Sequence, residues 1–275
     1  MSIYVITHKD YEFPDSDLYK PLVVGKAINN VDLAGHSSAV YDNTNDNISY
    51  KNKEYCELTG MYWLWKNCND KFIGICHYRR HFSSNEKECV LKGKNIIGNN
   101  ELTVLLEQYD IIVPKGMSLM KGTVFSQYSK IHYIRDLFLL RDCISKTNSD
   151  YIQSFEKVMN QSILHPFNMV ITRKNIFDEY CNWLFSTLFD YESKIDISTY
   201  NNYQKRLYGF LAERLFTVWL FHNHNRFSIK EIDVVEIENI PVMKFPIKEK
   251  INIIWSNLKY FATRSISIFA FNAMK

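Results

Sequence analysis

The sequence predicts one α/β domain, and three observations carry that prediction. Short apolar runs alternate with longer amphipathic ones, at lengths that suit buried strands and helices respectively. The first two of those runs end in charged residues, as strands do where ligands gather at the carboxyl edge of a parallel sheet. A chain of 275 residues with 46% hydrophobic content is large enough for one big core or two modest ones, and it would bury roughly three quarters of its surface on folding. No internal repeat and no clear linker divides it.

Taken in order, SIYVIT (residues 2–7) is a short buried strand closed by His8, Lys9 and Asp10. Residues 15–49 carry little periodicity, and DNTNDNIS (42–49) is a loop by its density of Asp and Asn. In EYCELTGMYWLWKN (54–67), Leu58, Met61, Tyr62 and Trp65 share one helical face. KFIGICHY (71–78) is another buried strand, and YDIIVP (109–114) is one that stops at its proline. Residues 123–140 have helical spacing, with His132 and Asp136 four apart on one face. The strand FNMVIT (167–172) precedes a helix over 174–193. A loop holding Asp196 leads to a further helix over 203–220, apolar around much of its circumference. From Asn225 come a short strand or two and then the tail, so the expected division is a domain of 1–224 and a peripheral extension of 225–275.

Composition excludes several classes. Aromatic residues at 15%, with 18 Tyr, 18 Phe and 5 Trp, rule out a disordered chain. A net charge of +3 gives no reason to expect a nucleic-acid partner. The six cysteines are unevenly spaced with no C-x-x-C, which argues for reduced thiols and against structural zinc. The start, MSIYVITHKDYEF, has no signal-peptide core, so a cytoplasmic location is expected. No apolar stretch is long enough for a spanning helix. The tail from Ile251 mixes Trp and Phe with Lys259, Arg264 and Lys275; it is either a last core element or an interfacial segment.

The sharpest chemical feature is Cys76-His77-Tyr78-Arg79-Arg80-His81, directly after an apolar strand. Two arginine forks beside two histidines suit phosphate or carboxylate oxygens, although a solvated charge cluster is the plainer alternative. His8 and Lys9 end another strand, and in a parallel sheet both sites face one crevice. Glu213 follows Arg206 by seven residues on one helical face, with Arg214 beside it. A carboxylate in so apolar a helix should be paired, in a structural or a catalytic role. Glu57 and Asp196 are secondary carboxylates, and Asn168 suits either a sugar hydroxyl or a turn cap. Trp63, Trp65, Trp183 and Trp219 are expected in the core. G-x-G-x-x-G, the P-loop pattern and a strand-end D-x-D are all missing.

Six blocks now stand in a fixed order: THK (7–9), DNISYKNKEYCELTGMYWLWKN (46–67), FIGICHYRRHF (72–82), YDIIVP, FNMVITRKNIFDEYCNWLF, and IDIST with YNNYQKRLYGFLAERLFTVWL. Spanning roughly residues 2–220, they resemble bacterial polysaccharide-biosynthesis proteins of the DUF4422 type, a glycosyltransferase family. The resemblance implies a single GT-A-like (Rossmann-like) α/β domain with a mostly parallel mixed sheet, binding a nucleotide sugar. It implies a UDP-sugar donor, UDP-galactofuranose first, and a lipid-linked oligosaccharide acceptor in capsule, O-antigen or exopolysaccharide synthesis. The protein would then work in the cytoplasm, peripherally on the inner face of the membrane.

Within that frame, His77-Tyr78-Arg79-Arg80 takes the place of the metal-binding D-x-D, which implies metal-independent transfer. No cofactor is expected, and Mn²⁺ or Mg²⁺ remains open. His8, Lys9, Asp42, Asn47, His77, Tyr78, Arg79 and Arg80 would line the donor site. An inverting enzyme needs a base, for which Glu213 is the first candidate and Asp196 the second. Asn168, Arg206 and Arg214 would hold the acceptor or support the base. Two rivals stand beside this reading: a phosphate-directed sugar-nucleotide hydrolase, and a non-catalytic carbohydrate-binding or polysaccharide-assembly module. The sequence leaves the oligomeric state undetermined.

Overall fold

Strand β1 (Ser2–Thr7) is buried along its whole length, and its side chains alternate between two cores. Tyr4 and Ile6 enter one, Ile3 and Val5 the other. A strand covered on both faces has no polar side to display, which is why it reads as a continuous apolar run. The computed structural model describes residues 1–33, 35–120, 122–238 and 246–263.

Further strands are β2 (Tyr19–Val23), β3 (Val40–Tyr41), β4 (Phe72–His77), β5 (Arg80–Phe82), β6 (Cys89–Leu91), β7 (Lys94–Ile96), β8 (Ile111–Pro114), β9 (Met117–Ser118), β10 (Ile163–Leu164), β11 (Val170–Arg173), β12 (Ile229–Ile232) and β13 (Val234–Glu236). The helices are α1 (Asn52–Tyr55), α2 (Leu58–Asn67), α3 (Asn99–Gln108), α4 (Val124–Ile131), α5 (Ile134–Thr147), α6 (Ile152–Asn160), α7 (Lys174–Glu192), α8 (Leu207–Asn223) and α9 (Ile247–Thr263).

The central sheet runs β12-β8-β11-β4-β1-β2-β3. All its neighbours are parallel except β11, which is antiparallel to both β4 and β8. The expected mixed, mostly parallel sheet is therefore present, with the carboxyl ends of β1, β2, β4 and β8 on one edge and the start of β11 among them. Helices α2 and α4–α8 cover one face, where Leu58, Phe177, Leu184, Leu211 and Phe216 are buried. Helix α3 and the β6–β7 hairpin cover the other through Leu102, Leu106, Leu91 and Ile96. Gly74 in β4 lets β1 and β11 close in: a Cβ there would lie 2.7 Å from Ile3 Cγ1.

Several expectations need correction. The 54–67 helix is two helices, broken at Cys56, whose φ of 52° leaves the helical region. The 123–140 helix breaks at His132, which ends α4 in extended backbone, so His132 and Asp136 do not share a helical turn. Residues 229–236 are strands of the main sheet: β12 pairs with β8 and β13 with β5, so the sheet continues beyond the boundary drawn at 225. Trp183 and Trp219 are buried, whereas Trp63 and Trp65 only flank the core. Arg264 and Lys275 lie outside the described residues, as does the tail from 264 onward. Among the described residues no helix is long and apolar enough to cross a membrane.

Candidate active site

At the end of β4 the chain turns back on itself: His77 pairs with Arg80 across a hairpin whose tip is Tyr78 and Arg79. The Tyr78 amide donates to the Ile6 carbonyl (3.1 Å), which ties this tip to the end of β1. The buried Tyr78 ring meets the His8 ring edge-on at 5.3 Å and the Tyr11 ring at 5.0 Å. Two cations lie over Tyr78, the Arg79 guanidinium at 4.8 Å and the Lys9 ammonium at 5.1 Å. His8 is held below its ordinary pKa by desolvation first and then by the charges of Arg79, Lys9 and Arg206. His8, Lys9, Tyr78 and Arg79 thus come together as the parallel-sheet argument expected, and the charge of Arg206 also acts on His8.

Beside this cationic edge lies a backbone feature with no simple sequence signal. Phe167 and Asn168, immediately before β11, have φ of 77° and 50°, and Cys56 has 52°. Non-glycine residues in the left-handed region cost on the order of 1–3 kcal/mol each and persist only where their surroundings hold them. Here the hold is explicit. The Phe167 amide donates to Glu213 Oε1 (3.0 Å), and its carbonyl accepts from His77 Nε2 (2.7 Å). The Arg80 guanidinium covers the Phe167 ring at 4.4 Å. The buried Asn168 side chain donates through Nδ2 to Glu57 Oε1 (2.6 Å), and its Oδ1 is buried without a partner. Arg206 Nε donates to Cys56 Sγ at 3.3 Å.

Two carboxylates therefore face one strained turn. Burial raises the proton affinity of Glu213, the Arg214 charge and the Phe167 amide lower it, and Glu57 raises it again; the net direction is upward. Arg214, itself buried, binds Glu213 Oε2 (2.9 Å), the Phe210 carbonyl (2.8 Å) and Gln127 Oε1 (2.6 Å), so it is a fixed brace. Arg206 is not the partner of Glu213, contrary to the seven-residue spacing. It precedes α8, and its bond goes to Cys56. His77 is held below its ordinary pKa by burial, against the opposing pull of Glu57 and the Phe167 carbonyl. Glu57, a secondary candidate in the sequence, is drawn into the site by Asn168.

Three expected site residues have other work. Asp42 is fully buried, and its carboxylate accepts from the Gly25 amide (2.8 Å), the Lys26 amide (3.1 Å), Ser49 Oγ (2.5 Å) and Thr59 Oγ1 (2.7 Å). All its acceptor sites are used in fastening the turn after β2 to the following loop, and none is left for a ligand. Gly25 in that turn has φ of 68°, and a Cβ there would lie 2.6 Å from Asn52 Oδ1. Asn47 bonds the Asn45 carbonyl (2.8 Å) and the Ser49 amide (3.2 Å), shaping the same loop. Asp196 is exposed and accepts from the Ser198 amide at 2.8 Å, which holds its carboxyl below the usual range. It makes no bond to the Phe167–Asn168 turn or to Glu213.

The GT-A type of sheet often carries a divalent ion at the end of its central strand, but the side chains there do not suit one. Arg79 and Arg80 are permanent cations, and His77 Nε2 is committed to a carbonyl. Among the described residues no group of three or more His, Cys, Asp or Glu is gathered to hold a metal.

The strand order, the one reversed strand and the polar site at the carboxyl edge define a GT-A-like Rossmann domain. The chain belongs to the DUF4422 family, described as a domain of unknown function, whose profile matches residues 2–224. It is similar to the apo structure of the bifunctional glycosyltransferase WbbM, with 30% sequence identity and a TM-score of 0.77. The match covers 90% of this chain and 47% of that one, so this chain spans about half the length of WbbM. No curated protein sequence matches.

Proposed function

We propose that this chain is a glycosyltransferase domain of polysaccharide biosynthesis, inverting and metal-independent, with Glu213 as the catalytic base. The observation that carries the reading is the Phe167–Asn168 turn, which joins a carboxylate of raised proton affinity to the cationic end of β4. Family membership and the likeness to WbbM support the same class of chemistry.

In this reading the diphosphate of a nucleotide sugar lies against Arg79, Arg80, His8 and Lys9. The fixed charges of Arg79, Arg80 and Lys9 offset the charge that grows on the leaving phosphate. An acceptor hydroxyl attacks the anomeric carbon and passes its proton to Glu213. The bond from that carbon to the phosphate oxygen breaks, and the nucleoside diphosphate leaves with the electron pair. Arg214 and the Phe167 amide hold the Glu213 carboxylate in place, while Glu57 acts through Asn168 as a positioning residue. A UDP-sugar is the proposed donor, with UDP-galactofuranose first, and a lipid-linked oligosaccharide is the proposed acceptor.

Thermal unfolding with nucleoside diphosphates and their sugars, in EDTA and in Mn²⁺, tests the donor site, since a ligand that binds only the native state raises the melting temperature. A rise in EDTA with one nucleotide, abolished by R79A together with R80A, is expected. A rise that requires Mn²⁺ would overturn the metal-independent step. Release of free sugar regardless of acceptor would identify a hydrolase instead.

A further inference from the structure

Helix α9 is fixed to the body by its inner side. Ile253 is 1% exposed, and Asn257 makes three backbone bonds: Oδ1 accepts from the Ile134 amide (3.0 Å), and Nδ2 donates to the Ser129 (2.9 Å) and His132 (3.1 Å) carbonyls. Glu249 Oε1 accepts from Asn201 Nδ2 at 2.5 Å. These bonds set the rotation of the helix, and so determine which residues face outward.

What faces outward is apolar. Ile247, Ile251, Ile254, Trp255 and Leu258 are exposed, Ile247 by 77% and Trp255 by 68%. At a helical turn of 3.6 residues they fall within an arc of about 100°. Five of the thirteen exposed large hydrophobic side chains among the described residues lie on this one face. The same periodicity places Lys248 and Lys259 along one border of the arc and Lys250 along the other, all three exposed. The one acidic residue of the helix, Glu249, is bonded to the body.

We infer that this face of α9 lies in the plane of an anionic lipid surface. The apolar arc enters the boundary between headgroups and acyl chains, and the bordering lysines extend to lipid phosphates. The charge pattern selects this occupant. A second copy of the chain seated on the same face would bring lysines against lysines, whereas anionic headgroups complement both borders. The inference stands apart from the proposed activity, but the two surfaces are linked. Asn201, bonded to α9, is five residues before Arg206, which reaches Cys56 beside Glu57.

Flotation of the full chain with vesicles tests the assignment, using phosphatidylcholine alone or mixed with phosphatidylglycerol. The expected result is binding to the mixed vesicles that weakens as salt is raised, with little binding to phosphatidylcholine alone. Both I254S/W255S and K248E/K250E should bind at least tenfold more weakly with unchanged thermal unfolding, because all four side chains are exposed. Absence of flotation, binding indifferent to phosphatidylglycerol, or variants that bind as tightly as the parent would overturn the inference. So would a concentration-dependent dimer in light scattering that I254S/W255S converts to monomer.

Discussion

Replacing Asp136 by Asn should flatten the pH dependence of stability between about pH 4 and 7. Asp136 is 1% exposed, accepts from Tyr200 Oη at 2.5 Å and from Tyr128 Oη at 3.3 Å, and has the Arg135 guanidinium 4.0 Å away. Burial pushes its carboxyl up from 3.8 to about 7, against the opposing effects of Tyr200, Arg135, Tyr128 and Tyr191. Over that interval the native chain keeps a proton that the unfolded chain has lost. Stability therefore falls as pH rises, by about 4 kcal/mol in all at about 1.4 kcal/mol per pH unit. Roughly 2–3 kcal/mol of it is lost between pH 5 and 8. Asn keeps an acceptor for Tyr200 and cannot ionise, so the variant should lack that decline. His81 and His132, which burial holds down to about 3, cost stability at the acid end in both proteins and drop out of the comparison. Urea unfolding at pH 5 and pH 8 measures the difference directly. Parallel pH profiles for the two proteins would show that Asp136 ionises freely and that its tyrosine cage does not govern it. The cage matters for function because Tyr200, which also accepts from Arg135 at 2.9 Å, anchors the segment that leads to Arg206.

Two further predictions concern the site itself. E213Q should lower turnover by about 10²–10⁴-fold, the usual worth of a general base, while donor affinity in the thermal-shift assay stays close to that of the parent. Unchanged turnover would end the assignment of Glu213 as base. N168A should destabilise the fold by about 2–4 kcal/mol, from a lost bond to a charged carboxylate and an alanine held in the left-handed region. N168G should recover about 1 kcal/mol of that in denaturant unfolding, and equal losses would show that the turn stores no strain.

The parts of the fold that were legible are those where one local property decides the outcome. Strands β1, β4 and β8 announce themselves because both faces are buried and their central residues form continuous apolar runs. The break at Cys56 is illegible because the helical pattern continues across it. Part of what holds the break is distant: Arg206, 150 residues on, bonds the Cys56 thiol, while Asn52 Nδ2, four residues back, caps the Cys56 carbonyl at 2.7 Å. The same division runs through the site. His77 to Arg80 are contiguous, so their shared charge is visible in the sequence. The Glu57–Asn168 pair spans 111 residues and the Phe167–Glu213 pair 46, and no local spacing hints at either. Asp42 misled because a polar residue in an Asp/Asn-rich loop looks the same in sequence whether it faces a ligand or locks a turn. Strand β2 is hidden in the sequence because Pro21 interrupts its pattern.

The pairing of β13 with β5 has a practical consequence for any attempt to move this domain into another protein. The hairpin bearing Arg79 and Arg80 is braced from outside the 2–224 family segment: Ile237 donates its amide to the Arg79 carbonyl at 2.9 Å, and Glu236 meets Arg80 Nε at 3.3 Å. A fusion or excision cut at residue 224 would sever the brace and leave an open β-edge beside the two arginines. The portable unit runs through at least Ile237, so a chimera that borrows this site must carry the strands after α8 along with it.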